Sequence, residues 1–449
     1  MKILFIHQNM PGQYRYLARH FGRRSDVDVT FLTQRDDVNI QGVRRITYKP
    51  KRRARAETHH YLRLTENGVL NGQEVLRTLD AMRQQGYRPD VIVGHPGWGE
   101  MLYVKEAFPD VPLLAFFEFY YHVKNSDVDF GGVEPGYDTR CRIRTKNLVN
   151  LLSLEMADAG ISPTYFQYDK HPDEYKYKIS VIFDGVDTEQ CKPNPDARFE
   201  LPDGRVLTAQ DEVMTYCARA YEEQRGFGSM LRAVAEVQRR RPNAHVLIVG
   251  GNGNPYGNPK QAGQAYKDKL VEEVQPDLER THFLGNIPWG RLHTAFQVSS
   301  AHIYLTVPFV LSWSMMEAMA CGCVVIGSRT APVEEVLDDR VNGLLVDFHD
   351  HTAIADRIDE VLDHPDRMQA VRERARATIL DHYDLNDCMN KQIALIERLV
   401  RGERPAPPQP LHKPGDPFFR QAGPSAQGGQ ATSSASASPK QVSGRQSAG

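Results

Sequence analysis

Cysteine is scarce: the chain has 449 residues and six cysteines, Cys141, Cys191, Cys217, Cys321, Cys323 and Cys388, with no C-x2-C pair. That spacing argues against a zinc ribbon or a thioredoxin-type redox pair. Cys321 and Cys323 stand one residue apart in an apolar run and read as buried thiols. Neither sign of charge is in excess: Lys and Arg total 55, Asp and Glu 57, for a net charge of −2. This argues against a nucleic-acid coat, although local basic patches survive averaging. No G-x-x-x-x-G-K-[ST], H-E-x-x-H or G-x-S-x-G string occurs, which removes P-loop, zincin and serine-hydrolase chemistry. Long apolar runs are also missing. The opening Met-Lys-Ile-Leu-Phe-Ile-His holds an apolar run of four, too short for a signal-peptide core. Residues 292–316 lack Asp, Glu, Lys and Arg but contain two His, several Ser and Pro308. They read as buried strand and loop, since a spanning helix needs about 20 apolar residues. The expectation is a reduced, cytoplasmic chain.

What is present is ordinary globular composition, 41% apolar and 25% charged, and a length that suits two or three domains at roughly 150 residues each. Short Val/Ile/Leu-rich runs at 2–7, 27–33, 44–49, 91–94, 113–117 and 181–183 read as strands. Helical patterns at 13–23, 66–85 and 142–156 lie between them. Strands that are apolar on both faces, alternating with helices, predict a doubly wound parallel sheet. A Pro- and Asp-rich stretch, 188–211, interrupts the alternation and reads as a linker. Strands then resume at 213–217, 245–250, 282–284, 302–305, 324–328 and 344–347. Helical patterns fall at 230–240, 262–273, 314–320, 352–362, 367–382 and 385–400. The fold expected is α/β, with two Rossmann-like doubly wound domains at 1–187 and 212–384 and a terminal helix at 385–401. Residues 421–449 hold no aromatic residue and one Val. The segment 402–449 is therefore expected to be a disordered tail, unable to bury enough apolar surface to offset ordering entropy.

Polar residues cluster where such sheets bind ligands, beyond the carboxyl ends of the strands. Gly12 closes the first strand–helix turn, where a glycine lets backbone approach a phosphate. His95, in His-Pro-Gly-Trp-Gly-Glu, ends the fourth strand. Glu118 sits among aromatics in Phe-Phe-Glu-Phe-Tyr-Tyr, so desolvation is expected to raise its pKa; pairing with Arg142 or Arg144 is the alternative. In the second half, Arg219 and Arg225 flank a loop that enters a helix, and guanidinium pairs suit a diphosphate. Gly250, Gly251 and Gly253 resemble a dinucleotide loop but lack its spacing. Ser312, Trp313, Ser314 and Glu317 open a short helix whose free N–H groups suit an anion. The basic run 49–55 is either a solvated loop or a contact for anionic lipid or a phosphorylated acceptor.

The segment 314–322, the Val324-Val325-Ile326-Gly327-Ser328 strand, Glu335-Val336 and Asn342-Gly343-Leu344-Leu345-Val346 resemble the nucleotide-sugar half of family 4 glycosyltransferases. Arg219 with Arg225-Gly226 is similar to that family's basic pair. The His-Gln-Asn-x-Pro-Gly-Gln opening and the His95 and Glu118 segments resemble one branch of it. The resemblance covers roughly 1–400 and implies a GT-B fold, two Rossmann-like domains facing a cleft. It implies a nucleotide-sugar donor held by the second domain and a glycan, lipid-linked or small-molecule acceptor held by the first. It also implies retention, no metal, no further cofactor and no nucleic-acid partner, with a last helix that crosses back to the first domain. In that reading Arg219 and Arg225 stabilise the departing diphosphate and Glu317 holds the ribose. Backbone N–H groups at Leu311, Ser312, Trp313 and Ser314 meet phosphate, the three glycines line the nucleotide, and Asn286 and Ile287 lie near the base. Phe309 stands where the family has the first Glu of Glu-x7-Glu. Either Ser312 or Ser314 replaces it, the donor sugar differs, or transfer is impaired. Two further departures are one extra residue between the arginines and Glu118 where many members carry His. The readings carried alongside transfer are a nucleotide-sugar epimerase and a non-catalytic nucleotide-sugar binding protein.

Overall fold

The computed structural model describes residues 1–403 except 133, 252, 257 and 258. Apart from its first two residues, the tail expected at 402–449 lies outside the described residues. The first sheet contains β1 (Lys2–Ile6), β2 (Asp28–Thr33), β3 (Val43–Thr47), β4 (Val91–Gly94), β5 (Leu113–Phe116), β6 (Ala159–Ser162) and β7 (Ile179–Val181), in the order β3-β2-β1-β4-β5-β6-β7. Every pairing in it is parallel. Next comes a small antiparallel hairpin, β8 (Phe199–Glu200) and β9 (Val206–Leu207). The second sheet is parallel too: β10 (Val213–Ala218), β11 (His245–Gly250), β12 (Thr281–Gly285), β13 (Ala301–Tyr304), β14 (Val324–Ser328) and β15 (Leu344–Val346), in the order β12-β11-β10-β13-β14-β15. Central strands are covered on both faces, as in β4 and β14, where every residue is buried. That burial explains why they read as unbroken apolar runs.

In each sheet the strand order reverses beside the first strand of that domain, at β1/β4 and at β10/β13. Crevices open at such points because the connections leave to opposite faces. The two crevices face one another across a cleft of about 670 Å³, lined from one side by His7, His95 and Glu118 and from the other by Arg219, Arg225 and Val310. The architecture is GT-B. The last helix, Leu385–Val400, leaves the second domain and packs Leu395, Ile396 and Leu399 into the core under β1 and β4.

Three segments differ from the sequence reading. The charge-free stretch 292–316 begins inside a helix, Trp289–Val298, not a strand or loop. Its His293, Ala295, Phe296 and Val298 are all buried, so the missing charges reflect burial and carry no information about period. Within 188–211, Phe199, Leu201 and Leu207 pack on Val213 and Leu247, which makes the hairpin part of the second domain's core. The helix expected at 142–156 is two helices, Tyr137–Lys146 and Leu148–Met156, parted at Asn147. The Asn147 side chain accepts from Tyr121 N–H at 3.0 Å and donates to Tyr121 C=O at 2.7 Å. The break thereby pins the aromatic segment that follows β5.

Candidate functional site

The first-domain wall is built at the ends of β1, β4 and β5. His95 is buried and stacks on Trp98 at 4.6 Å. Its Nδ1 accepts the Gly97 N–H at 3.1 Å. The ring proton therefore sits on Nε2, which is buried without a hydrogen bond and lies 3.7 Å from Glu118 Oε2. The same logic applies to His7, whose Nδ1 accepts from Asn9 N–H. His7 Nε2 then donates to Gln13 Oε1 at 2.9 Å, and Gln13 Nε2 donates to Glu118 Oε1 at 3.3 Å. Glu118 is thus the point where the His7–Gln13 chain and the His95 ring converge. Burial pushes its carboxyl up, but the His95 ring beside it, the Arg219 charge and the Gln13 amide outweigh that. The net shift is below the ordinary carboxylate value. This corrects the expectation of a raised pKa. The aromatics do desolvate Glu118, yet its partners are His95 and Gln13, not Arg142 or Arg144.

The opposite wall follows β10 and β13. Gly226 is left-handed (φ +65°) between a single 3-10 turn, Glu223–Arg225, and the helix Phe227–Arg240. That turn buries Arg225. Its guanidinium donates to Tyr304 Oη at 3.2 Å, Thr306 Oγ1 at 2.7 Å and the Val310 carbonyl at 3.0 Å. All are neutral acceptors, so the charge has no carboxylate partner among these contacts. Arg219 is exposed, donates to the Asn254 carbonyl and lies 4.0 Å over the Tyr256 ring, with Arg225 5.3 Å from the same ring. The two cations lie against one aromatic plate. Next to them the helix Trp313–Ala320 starts at Ser312, whose side chain caps the Ser314 N–H. Ser312 N–H donates to Tyr304 Oη at 2.7 Å, which ties this helix start to Arg225.

The chain that builds this cationic wall and helix start, opposed to a polar cluster on the other Rossmann-like domain, matches family models over most of its own length. Residues 25–191 match the "Glycosyl transferase family 4 group" and residues 200–378 the "Glycosyl transferases group 1". The chain belongs to the family 4 glycosyltransferases. A D-inositol 3-phosphate glycosyltransferase of Corynebacterium kroppenstedtii is 26% identical over 224 residues, 49% of this chain and 47% of that protein. A GDP-mannose-dependent alpha-(1-6)-phosphatidylinositol monomannoside mannosyltransferase of Mycolicibacterium smegmatis is 26% identical over 239 residues, 49% of this chain and 56% of the relative. The match therefore spans about half the length of these relatives. Among solved structures, sucrose-phosphate synthase from Thermosynechococcus elongatus superimposes with a TM-score of 0.67 at 19% identity, over 90% of this chain and all of the other. At that identity the likeness establishes the fold.

Within this family 4 chain the cleft brings together His95, Glu118, Gly12, Arg219, Arg225, Leu311, Ser312 and Trp313. The remaining candidates fall elsewhere. Glu317 lines a small cavity that adjoins the cleft, with Arg15 and Trp289 and with Gly12 and Trp313 shared between the two. It accepts from Trp289 Nε1 at 3.3 Å. Burial pushes its carboxyl up to about 7 against the Trp289 hydrogen bond and the Arg15 charge. Ser314 is buried in the helix's first turn and pairs with Ser312. Asn286 is exposed and Ile287 half-buried just beyond β12; neither is among the residues lining the cleft. Gly250 and Gly251 serve close packing. A Cβ at Gly250 (φ +95°) would meet the Ala218 carbonyl at 2.0 Å, and one at Gly251 the Tyr221 ring at 2.1 Å. Gly253 N–H donates to the Arg219 carbonyl at 2.7 Å.

Sequence reasoning missed Asp184 and Tyr256. Trp313 Nε1 donates to Asp184 Oδ2 at 2.8 Å across the cleft, and Asp184 Oδ1 is buried and unpaired. Burial lifts the Asp184 carboxyl to about 7, opposed by the Trp313 bond. Its signal was present, a polar residue just past a strand near the end of the first domain. Tyr256 stands in a Gly/Asn/Pro loop with no period to mark it. Phe309 packs edge-on to Phe119 at 4.8 Å and Tyr256 at 5.2 Å. The position expected to face the donor sugar is therefore an aromatic bridge between the domains. Of the basic run, Lys51, Arg52, Arg53 and Arg55 are exposed near Leu62 and Leu64, which are 44% and 58% exposed. Arg52 pairs with Glu66. Among the described residues no helix is long and apolar enough to cross a membrane.

Proposed function

We propose that this chain transfers a sugar from a nucleotide diphosphate donor to a hydroxyl held by the first domain, with retention and without a metal at the diphosphate. The observation that carries the reading is the Arg219–Tyr256–Arg225 wall. One buried guanidinium with neutral partners and one exposed guanidinium meet the start of the helix Trp313–Ala320. Charge developing on a departing diphosphate is stabilised there without reorganisation. Glu118, held ionised by His95 and Gln13, accepts a hydrogen bond from the acceptor hydroxyl. The matched relatives are named for a GDP-mannose donor and for inositol-phosphate and phosphatidylinositol mannoside acceptors. These define the first donors and acceptors to try. Exposed Lys51, Arg53, Arg55, Leu62 and Leu64 support peripheral contact with anionic lipid; vesicles of anionic lipid should pellet the protein at low salt and release it at high salt.

The test is a thermal-shift panel of nucleoside diphosphates and nucleotide sugars. A ligand at 100 times its Kd adds about 2.7 kcal/mol. One base should stand out, and no shift with any of them would overturn the donor site. The second reading is nucleotide-sugar binding without transfer, favoured by the apolar Phe309 bridge. It predicts the same shift but no release of nucleoside diphosphate with any acceptor.

A further inference from the structure

Beside the cleft, three chain segments bring sulfur, nitrogen and carboxylate ligands to one point. Cys191 comes from the connector after β7. His293 comes from the helix Trp289–Val298, and Glu317 from the helix Trp313–Ala320. Their ligand atoms all lie within 4.8 Å of one another, and each residue is more than nine-tenths buried. Cys191 Sγ is 3.3 Å from His293 Nε2. The backbone beside the trio is fixed as well: Arg376 donates to the Cys191 carbonyl at 3.0 Å and to the Ala320 carbonyl at 2.6 Å. The trio lines a cavity of about 20 Å³, room for one water-sized occupant, which takes roughly 10–15 Å³. Among the described residues it is the one place where at least three such donors converge.

We propose that Cys191, His293 and Glu317 form a binding site for one thiophilic divalent cation of the zinc class. A sulfur, an imidazole and a carboxylate are three ligands that tetrahedral zinc accepts, at about 2.0–2.3 Å from each donor, with a water completing the fourth position. Harder cations such as magnesium prefer all-oxygen shells. The charges balance: one thiolate and the Glu317 carboxylate offset the dication, while Arg15 stacks 3.6 Å over Trp289 and shares the cavity. The site ties the interdomain connector to both helices. Its occupant takes the Glu317 carboxylate, so cation and nucleotide compete; this last consequence rests on the assignment of Glu317 to the donor ribose.

The test uses the full chain, stripped of metal, titrated with Co²⁺ and then displaced with Zn²⁺. A single equivalent should give the intense visible bands of tetrahedral cobalt together with a thiolate charge-transfer band. Cys191→Ser should abolish the charge-transfer band and lower Zn²⁺ affinity by more than the roughly 10–100-fold typical of an outer-shell loss. His293→Gln, which leaves the sulfur in place, should distort the bands and keep the charge transfer. Octahedral cobalt without charge transfer, or Zn²⁺ affinity unchanged in Cys191→Ser, would overturn the site. One equivalent of Zn²⁺ should weaken nucleotide binding by wild type and not by Cys191→Ser; unchanged binding by wild type overturns the competition. A cobalt spectrum in a protein that binds no nucleotide would leave the cation site standing and remove the donor site instead.

Discussion

Arg225 is buried among neutral hydroxyl and carbonyl oxygens, and this gives the charge its force: with no carboxylate beside it, the guanidinium's field is available to an anion in the cleft. Arg225→Ala should lower turnover about 100- to 1000-fold, the loss seen when one donor to a developing anion is removed. Steady-state release of nucleoside diphosphate measures it, and a turnover within a few-fold of wild type would remove the role. Glu100 offers a second residue-scale test. It is fully buried, accepts from Tyr48 Oη at 2.7 Å, and burial lifts its carboxyl from 4.5 to about 7 against that bond. The folded state therefore binds a proton that the unfolded chain gives up. This contribution is complete below the unfolded value and is lost as pH rises through about 7. Glu100→Gln should gain stability relative to wild type between about pH 5 and pH 8, by roughly 2–4 kcal/mol. Urea midpoints at the two pH values check the sign.

At the scale of elements, close approach between neighbouring strand ends aims the chemistry. Gly250 ends β11 directly against the Ala218 carbonyl of β10, and Arg219 is the next residue along. Gly250→Ala adds a Cβ where φ is +95° and backbone stands 2.0 Å away. It should cost about 1–3 kcal/mol and weaken nucleotide binding in the same step, because the β10 end must shift. Isothermal titration beside urea unfolding tests both, and a destabilised variant with full affinity would separate the glycine from the site. The glycine's place between strand and helix was legible in the sequence. Its reason was not, because the sequence suggests a ligand against the backbone and the structure puts the neighbouring strand there.

For the whole molecule, coupling between the domains decides how the two walls meet. Glu335 of the second domain accepts the Tyr165 and Phe166 N–H groups at 2.7 Å each, capping a first-domain helix. Phe119 and Phe166 belong to the second domain's core cluster, and Phe130 packs on Phe348 at 5.1 Å. Glu335→Ala removes charge-assisted bonds worth about 1.5–3 kcal/mol. It should split thermal unfolding into two transitions by calorimetry; a single unmoved transition would show that aromatic packing alone holds the domains. Ile396→Ala should cost about 2–5 kcal/mol, as for other buried large-to-small changes. Its effect should fall on the first domain's transition, because the last helix is that domain's core.

The sequence by itself determined the two parallel sheets and the family. Buried parallel strands leave unbroken apolar runs, and the strand ends carry the polar residues His95, Glu118, Arg219 and Arg225 in plain view. Strands too short or too plain for such a run escaped, as with Ala-Gly-Ile-Ser in β6. Tertiary structure alone decided partnership. The Glu118 carboxyl is held below its ordinary value because His95, just past β4, and Gln13, in the turn after β1, reach it. Glu317 faces Trp289 and Arg15 in the cavity that adjoins the main cleft. Cys191, His293 and Glu317 meet although up to 126 positions separate them in the sequence. Local spacing sets which residues share a helix face or a strand end, and only the packing of the two domains sets which of those ends touch.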